Sequence, residues 1–293
     1  MEQKRANLFV VGAMKAGTTS FLELLSKHEQ VYAPPLKEPH YFIDSLPTNL
    51  YEPSRFFSLE SYLAKDFPDP LHIAKIETAE QYEQIFSLSK DENYLVDGST
   101  AYLHAEESAQ LIHAYNPNAK IIILVRDPLK RAFSHYKMNL GKGRDKKSFE
   151  TVLLEEIELY NKQQLPWYSY LGMSFYNQAT ARYAKLFDQV LVLKFEDFTA
   201  NTTETMKIVE GFLAIDPFSE LSVAHKNESK TLRFQKLFYF LKRLGLKDYF
   251  SKIFSSKFRQ WLFAKVSKKG KMQLKLTQET AAKIETIFNK ESR

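Results

Sequence analysis

Short apolar runs alternate with helix-like stretches over roughly the first 200 residues. Residues 8–11 are four consecutive apolar side chains closed by Gly12, and residues 94–96, 121–125 and 190–194 repeat the pattern. Runs this short and this uniformly apolar predict strands buried on both faces. Between them the spacing turns helical, predicting helices over residues 18–28, 104–115 and 176–187. Asp127 followed by Pro128 is a helix-start signal, an acidic cap before a proline at the first helical position. Strands alternating with helices predict parallel pairing and a covered sheet. Residues 51–90 are polar and aromatic and predict helices and loops. From about residue 232 the pattern is helical and no longer alternates with strands. A boundary near residue 225 therefore divides an α/β core, residues 1–225, from a basic, mainly helical C-terminal appendage, residues 226–293, packed on or attached to it.

Composition narrows this picture. A chain of 293 residues with 44% hydrophobic content suits one large α/β domain with an appendage. Cysteine is absent, which excludes a disulfide scaffold and any thiolate metal site. The apolar run before Gly12 is too short for the core of a signal peptide, and no window approaches the roughly 18 apolar residues of a membrane span. The expected location is the cytoplasm. The net charge of +6 hides an asymmetry: residues 226–275 hold 15 Lys and Arg against two acids, Glu228 and Asp248, a local +13 that leaves the rest at −7. Such a segment is either a solvated helical face or the contact for an anionic partner.

The candidate chemistry begins between the first strand and the first helix. Gly12, Lys15, Gly17, Thr18, Thr19 and Ser20 form a glycine-containing turn that opens a helix. The glycines let the backbone approach an anion, and the free N–H groups and dipole of the following helix favour one. The pattern is P-loop-like, but Thr18 stands at the P-loop lysine position and the lysine, Lys15, sits inside the loop. The magnesium-binding aspartate expected at the end of a second strand is also missing, since Asp127 reads as a helix cap. A triphosphate needs a metal to neutralise it, whereas a less charged donor can be held by a lysine and backbone groups. The pattern suits a nucleotide phosphate and no metal.

The loop Gly12–Phe21 resembles the 5′-phosphosulfate loop of sulfotransferases that use 3′-phosphoadenosine 5′-phosphosulfate (PAPS), the group that includes heparan sulfate sulfotransferases and bacterial relatives. Two more segments follow in the expected order. Lys37, Glu38, Pro39, His40, Tyr41 and Phe42 resemble the segment carrying the catalytic base. Ile122 to Pro128, with Arg131 and Ser134 to Tyr136, resembles the 3′-phosphate-binding strand and helix. Asp97 to Leu103 is a weaker similarity. Together these cover roughly residues 7–215. The resemblance implies sulfuryl transfer from PAPS to a hydroxyl or amine, releasing 3′,5′-bisphosphoadenosine (PAP). Lys15, Ala16, Gly17, Thr18, Thr19 and Ser20 would hold the 5′ side, and Lys15 would also neutralise charge on the leaving oxygen. Glu38 would be the general base, with His40 as a substitute. Arg126 and Ser134 would hold the 3′-phosphate, with Lys130 and Arg131 near the face of Ser134. Lys230 and Arg233 would belong to a loop closing over the site. No metal is required. The implied partner is an acceptor glycan or glycolipid, and no nucleic acid is expected.

Three alternatives stand beside this. A metal-dependent nucleotide kinase or NTPase would share the loop, and a non-enzymatic nucleic-acid- or membrane-binding protein would use the basic segment. Arg126 could pair with a nearby carboxylate instead of a ligand. Residues 232–272 read as a basic amphipathic stretch that packs on the core, holds an anionic glycan, or lies on an anionic inner-membrane surface. His104 and His135 carry no assigned role.

Overall fold

The computed structural model describes residues 4–219, 231–232, 267–268 and 272–291. Its centre is a five-stranded, all-parallel sheet in the order β2-β5-β1-β6-β7. The strands are β1 (Leu8–Gly12), β2 (Val31–Tyr32), β5 (Tyr94–Asp97), β6 (Lys120–Val125) and β7 (Val190–Lys194). β1 lies between β5 and β6, pairing Leu8 with Val96 on one side and with Lys120 on the other. All five residues of β1 and the four central ones of β6 are buried. Each buried aliphatic side chain contributes about 1.5–3 kcal/mol, so these two strands hold the sheet together.

Helices follow the strands: α1 (Thr18–Leu25) after β1, α4 (Ser108–Tyr115) after β5, α5 (Pro128–Gly141) after β6, and α8 (Phe195–Ala200) directly after β7. α6 (Phe149–Asn161), α7 (Asn177–Leu186) and α9 (Thr202–Leu213) complete the layers. The start of α5 is as the sequence predicts, with Asp127 Oδ1 accepting from the Lys130 N–H at 2.7 Å and Pro128 at the first position. The helix expected from residue 104 begins only at Ser108. The reason is that the Leu103 N–H is donated to the Val11 carbonyl at 2.8 Å, which ties this stretch to the end of β1.

The region of residues 51–90 contains the expected helices, α2 (Leu59–Ser61) with a wide turn at Tyr62–Asp66 and α3 (Ala79–Gln84). It also holds an unexpected strand, β4 (Leu71–Ile73), which pairs parallel with β3 (Leu36–Glu38) as a small second sheet. In the C-terminal segment two extended pieces, β8 (Thr231–Leu232) and β9 (Ser267–Lys268), pair antiparallel where helix was expected. The last helix, α10 (Gln278–Glu291), buries Ile284 and Ile287 in one apolar cluster with Phe133, Tyr136, Phe149 and Leu153 of α5 and α6. Lys230 and Arg233 lie outside the described residues, as does most of the basic stretch of residues 232–272. No described helix is long and apolar enough to cross a membrane.

Candidate active site

Four chain segments leave the carboxyl edge of the sheet side by side: Ala13–Gly17 after β1, Gly98–Thr100 after β5, Arg126 after β6 and Phe195 after β7. In open α/β sheets this edge is where ligands bind.

The loop after β1 is held in shape by its neighbours. Gly17 stands at the N-cap of α1 with φ +87°, and a Cβ there would lie 2.7 Å from the Phe195 ring. With glycine at the cap, no side chain bonds to the first turn of α1, so the N–H groups of Thr18, Thr19 and Ser20 stay uncapped. Lys15 also has a positive φ, +73°. Two arginines of the next strand–helix unit brace this turn from outside it. Arg126 donates to the Lys15 carbonyl at 3.1 Å, and Arg131 reaches the Met14 carbonyl at 3.4 Å.

Arg131 is 0% exposed and gives its remaining donors to Ser174 Oγ at 2.8 Å and the Tyr170 carbonyl at 2.6 Å. It supports the loop and does not converge on Ser134, which is half-buried two turns into α5 beside an exposed Lys130. Arg126 lies on the Phe195 ring, 4.4 Å from its centroid, and its buried Nε has no partner among the described residues. No ion pair of the expected alternative kind, between Arg126 and a carboxylate, occurs among the described residues; Glu196, the nearest acidic influence, accepts from the Asp127 N–H at 3.2 Å.

Burial pulls the Lys15 ammonium below the usual lysine range, reinforced by Arg126, Lys137 and Arg131 and opposed by Glu38.

Glu38 ends β3 and is 7% exposed. Its Oε2 accepts from the Thr100 hydroxyl at 2.8 Å, which joins the small sheet to the carboxyl edge of β5. Its Oε1 meets Lys37 Nζ at 2.6 Å, and the imidazoles of His72 and His40 stand 3.8 and 3.7 Å from the carboxylate. Burial pushes this carboxyl up, but Lys37, with His40 and His72, more than offsets it and holds the group at about 2. His40 is itself kept neutral by burial, so Lys37 is the dominant cation. Its backbone N–H is donated to Ser99 Oγ at 2.9 Å and its Nδ1 lies 3.1 Å from the Glu38 carbonyl, positions that make it a support for the carboxylate.

Thr100 and His72 escaped the sequence reading. Thr100 lies in a segment with a weak family signal. His72 had none, since only the pairing of β4 with β3 brings it near Glu38.

The whole fits a phosphate-bearing nucleotide: an uncapped helix N-terminus, a glycine where a side chain would strike Phe195, and a buried arginine nitrogen without a partner. Among the described residues no group of three or more His, Asp or Glu side chains is placed to hold a metal ion.

Comparison with known proteins agrees with this geometry. Residues 7–220 match the profile of the Sulfotransferase family. Human carbohydrate sulfotransferase 15 is 25% identical over 258 residues, covering 76% of this chain and 46% of that protein. Mouse heparan sulfate glucosamine 3-O-sulfotransferase 5 is 25% identical over 218 residues, covering 73% of this chain and 55% of that protein. The chain thus spans about half the length of the curated relatives it matches. Among solved structures, a sulfotransferase from Alicyclobacillus acidocaldarius superposes with a TM-score of 0.60 at 24% identity, covering 99% of this chain and all of that one. Mouse sulfotransferase SULT7A1 complexed with PAP gives 0.53 at 13% identity, covering 100% of this chain and 86% of that one. These two likenesses establish a shared fold. The match over residues 7–220 establishes the lineage: this chain belongs to the sulfotransferase family.

Proposed function

We propose that this protein transfers a sulfuryl group from PAPS to a hydroxyl or amine of a carbohydrate or glycolipid. One observation carries the reading: the uncapped loop that holds Lys15 and the Thr100 hydroxyl that binds the buried Glu38 carboxylate at 2.8 Å leave the same edge of the sheet from adjacent strands. PAPS, when bound, supplies an electrophilic sulfur joined to a good leaving group. The loop from Lys15 to Ser20 binds its 5′ side through backbone N–H and hydroxyl groups, and Arg126 with Ser134 binds its 3′-phosphate. Lys15 stabilises the charge that builds on the leaving oxygen. Glu38 takes the proton from the attacking acceptor group. Its Lys37 contact makes it a weak base at rest, and an acceptor that displaces Lys37 strengthens it. The glycan-modifying names of the two curated relatives support a carbohydrate acceptor.

Calorimetry with the purified protein in a chelator tests the donor site. PAP should bind much more tightly than AMP without metal. Arg126→Ala should erase most of that preference, a loss of about 2–5 kcal/mol for a phosphate clamp. Equal affinity for PAP and AMP would remove the basis for the assignment.

A further inference from the structure

The mechanism leaves the buried histidines His28, His104 and His135 unused. His135 lies in the second turn of α5, 1% exposed, and neither ring nitrogen has a hydrogen-bond partner among the described residues. Asn139 is one turn further on, 4% exposed, and its Oδ1 is also unpartnered. At a spacing of four, the two side chains share one face of the helix. Neighbouring groups fix their placement. The Asn139 amide donates to the Tyr170 hydroxyl at 3.0 Å, and that hydroxyl donates to Asp145 at 2.9 Å. The His135 ring meets the Tyr170 ring edge-on, centroids 4.8 Å apart.

The charged groups acting on His135 are Arg131 of its own helix, Lys15 of the phosphate loop, and Lys142 and Arg144 beyond the helix end, all cations. Burial and these cations keep the imidazole neutral, with one N–H donor and one lone-pair acceptor. Buried polar atoms without partners weaken a fold unless something outside the chain satisfies them. The imidazole N–H can donate to a hydroxyl oxygen whose own proton goes to the Asn139 carboxamide oxygen, the pairing a hydroxyl group offers. Arg131, one turn before His135 on the same helix face, reaches the Met14 carbonyl at 3.4 Å, which puts these atoms beside the phosphate loop.

We propose that His135 and Asn139 form a hydroxyl-binding subsite that holds a second hydroxyl of a saccharide acceptor and so sets acceptor specificity. This rests on the glycan reading above. It predicts that the unpaired imidazole weakens the fold and strengthens acceptor binding.

The test uses the full chain with labelled PAPS and two acceptors, heparan sulfate and neutral chitotetraose. The variants are His135→Leu, His135→Asn and Asn139→Ala, each also measured for PAP affinity and thermal melting. His135→Leu should melt at or above the wild-type temperature, bind PAP within about twofold, and raise the acceptor KM at least tenfold. His135→Asn, which keeps a donor and an acceptor, should recover most of the loss. Asn139→Ala should raise KM severalfold and serves as the independent check should His135→Leu fail to fold. An acceptor KM unchanged in the variants, or PAP affinity lost in step with it, overturns the subsite. A wild-type protein that binds PAP but sulfates neither acceptor overturns the glycan reading and the subsite with it.

Discussion

Two buried carboxylates sit on either side of the same short turn, and their surroundings drive them in opposite directions. Asp97, at the end of β5, is 0% exposed and accepts from the hydroxyls of Tyr82, Tyr102 and Ser99 and the Ser99 N–H, at 2.7–3.0 Å. Every donor is neutral. Burial pushes its carboxyl up, the four hydrogen bonds only partly counter this, and the group settles at about 6. Glu38 is almost as deeply buried but has Lys37 against one oxygen, and it settles at about 2. Neutral donors are enough to bury a carboxylate as a structural tie, whereas a cation is needed to keep one ionised well below neutral pH. Ser99 and Thr100 bind the two together, one residue to each carboxylate.

If that division is right, the largest effect belongs to Glu38. Glu38→Gln keeps the shape and the Thr100 contact but removes the base, so turnover should fall by about 10²–10⁴. PAP affinity should stay within a few-fold. Steady-state kinetics beside calorimetry separates these, and near wild-type turnover would move the base to His40. Asp97 should behave the other way. Asp97→Ala strands several buried hydroxyls, each worth about 1–3 kcal/mol, and should lower the urea unfolding free energy by about 3 kcal/mol or more. Its catalytic loss should follow from the loosened Ser99–Thr100 turn. A stable Asp97→Ala protein with no turnover would erase the contrast.

The smallest effect is the slope of stability with pH. Folded Asp97, at about 6 against an ordinary 3.8, binds more proton than the unfolded chain between about pH 4 and pH 6. Its contribution is therefore fully present below that window and is lost as the pH rises through it. Glu38, at about 2 against an ordinary 4.5, contributes stability that is fully present above about pH 4.5 and is lost as the pH falls toward 2. Plotted as wild type minus Asp97→Asn and wild type minus Glu38→Gln, unfolding free energies should slope oppositely, by about 3 kcal/mol over each window. Parallel slopes would mean that the two carboxylates do not differ as described.

The same contrast marks how much was legible in the sequence. The strands β1 and β6 and the capped start of α5 were readable, because strands buried on both faces leave unbroken apolar runs and caps have fixed chemistry; β7 kept such a run at the sheet edge, where only Leu193 of its residues is buried. The strands β2, β3 and β4 have only two or three residues, too few for any period to show. The loop residues Lys15 to Ser20 read as a candidate anion loop, since glycines, a lysine and a helix start are local. The environment of Glu38 was not local. Its cation, Lys37, is its neighbour, but Thr100 reaches it across 62 positions and His72 across a strand pairing that the polar-aromatic stretch concealed. Arg131 looked like a ligand for phosphate because helix spacing put it near Ser134. Only the packing of α5 against Tyr170 and Ser174 showed that its donors were already committed.

Phe195 occupies the room a side chain at Gly17 would need, and the same ring carries Arg126. In mutational terms, positions 17, 126 and 195 are epistatic. A smaller residue at 195 would open space at 17 but strip Arg126 of its aromatic surface. A larger residue at 17 would push the ring, and the arginine with it, while also having to adopt a left-handed backbone. Variation in the phosphate loop is thereby tied to the far edge of the sheet, and a library that randomises the loop alone would discard combinations that become viable only when residue 195 changes with it.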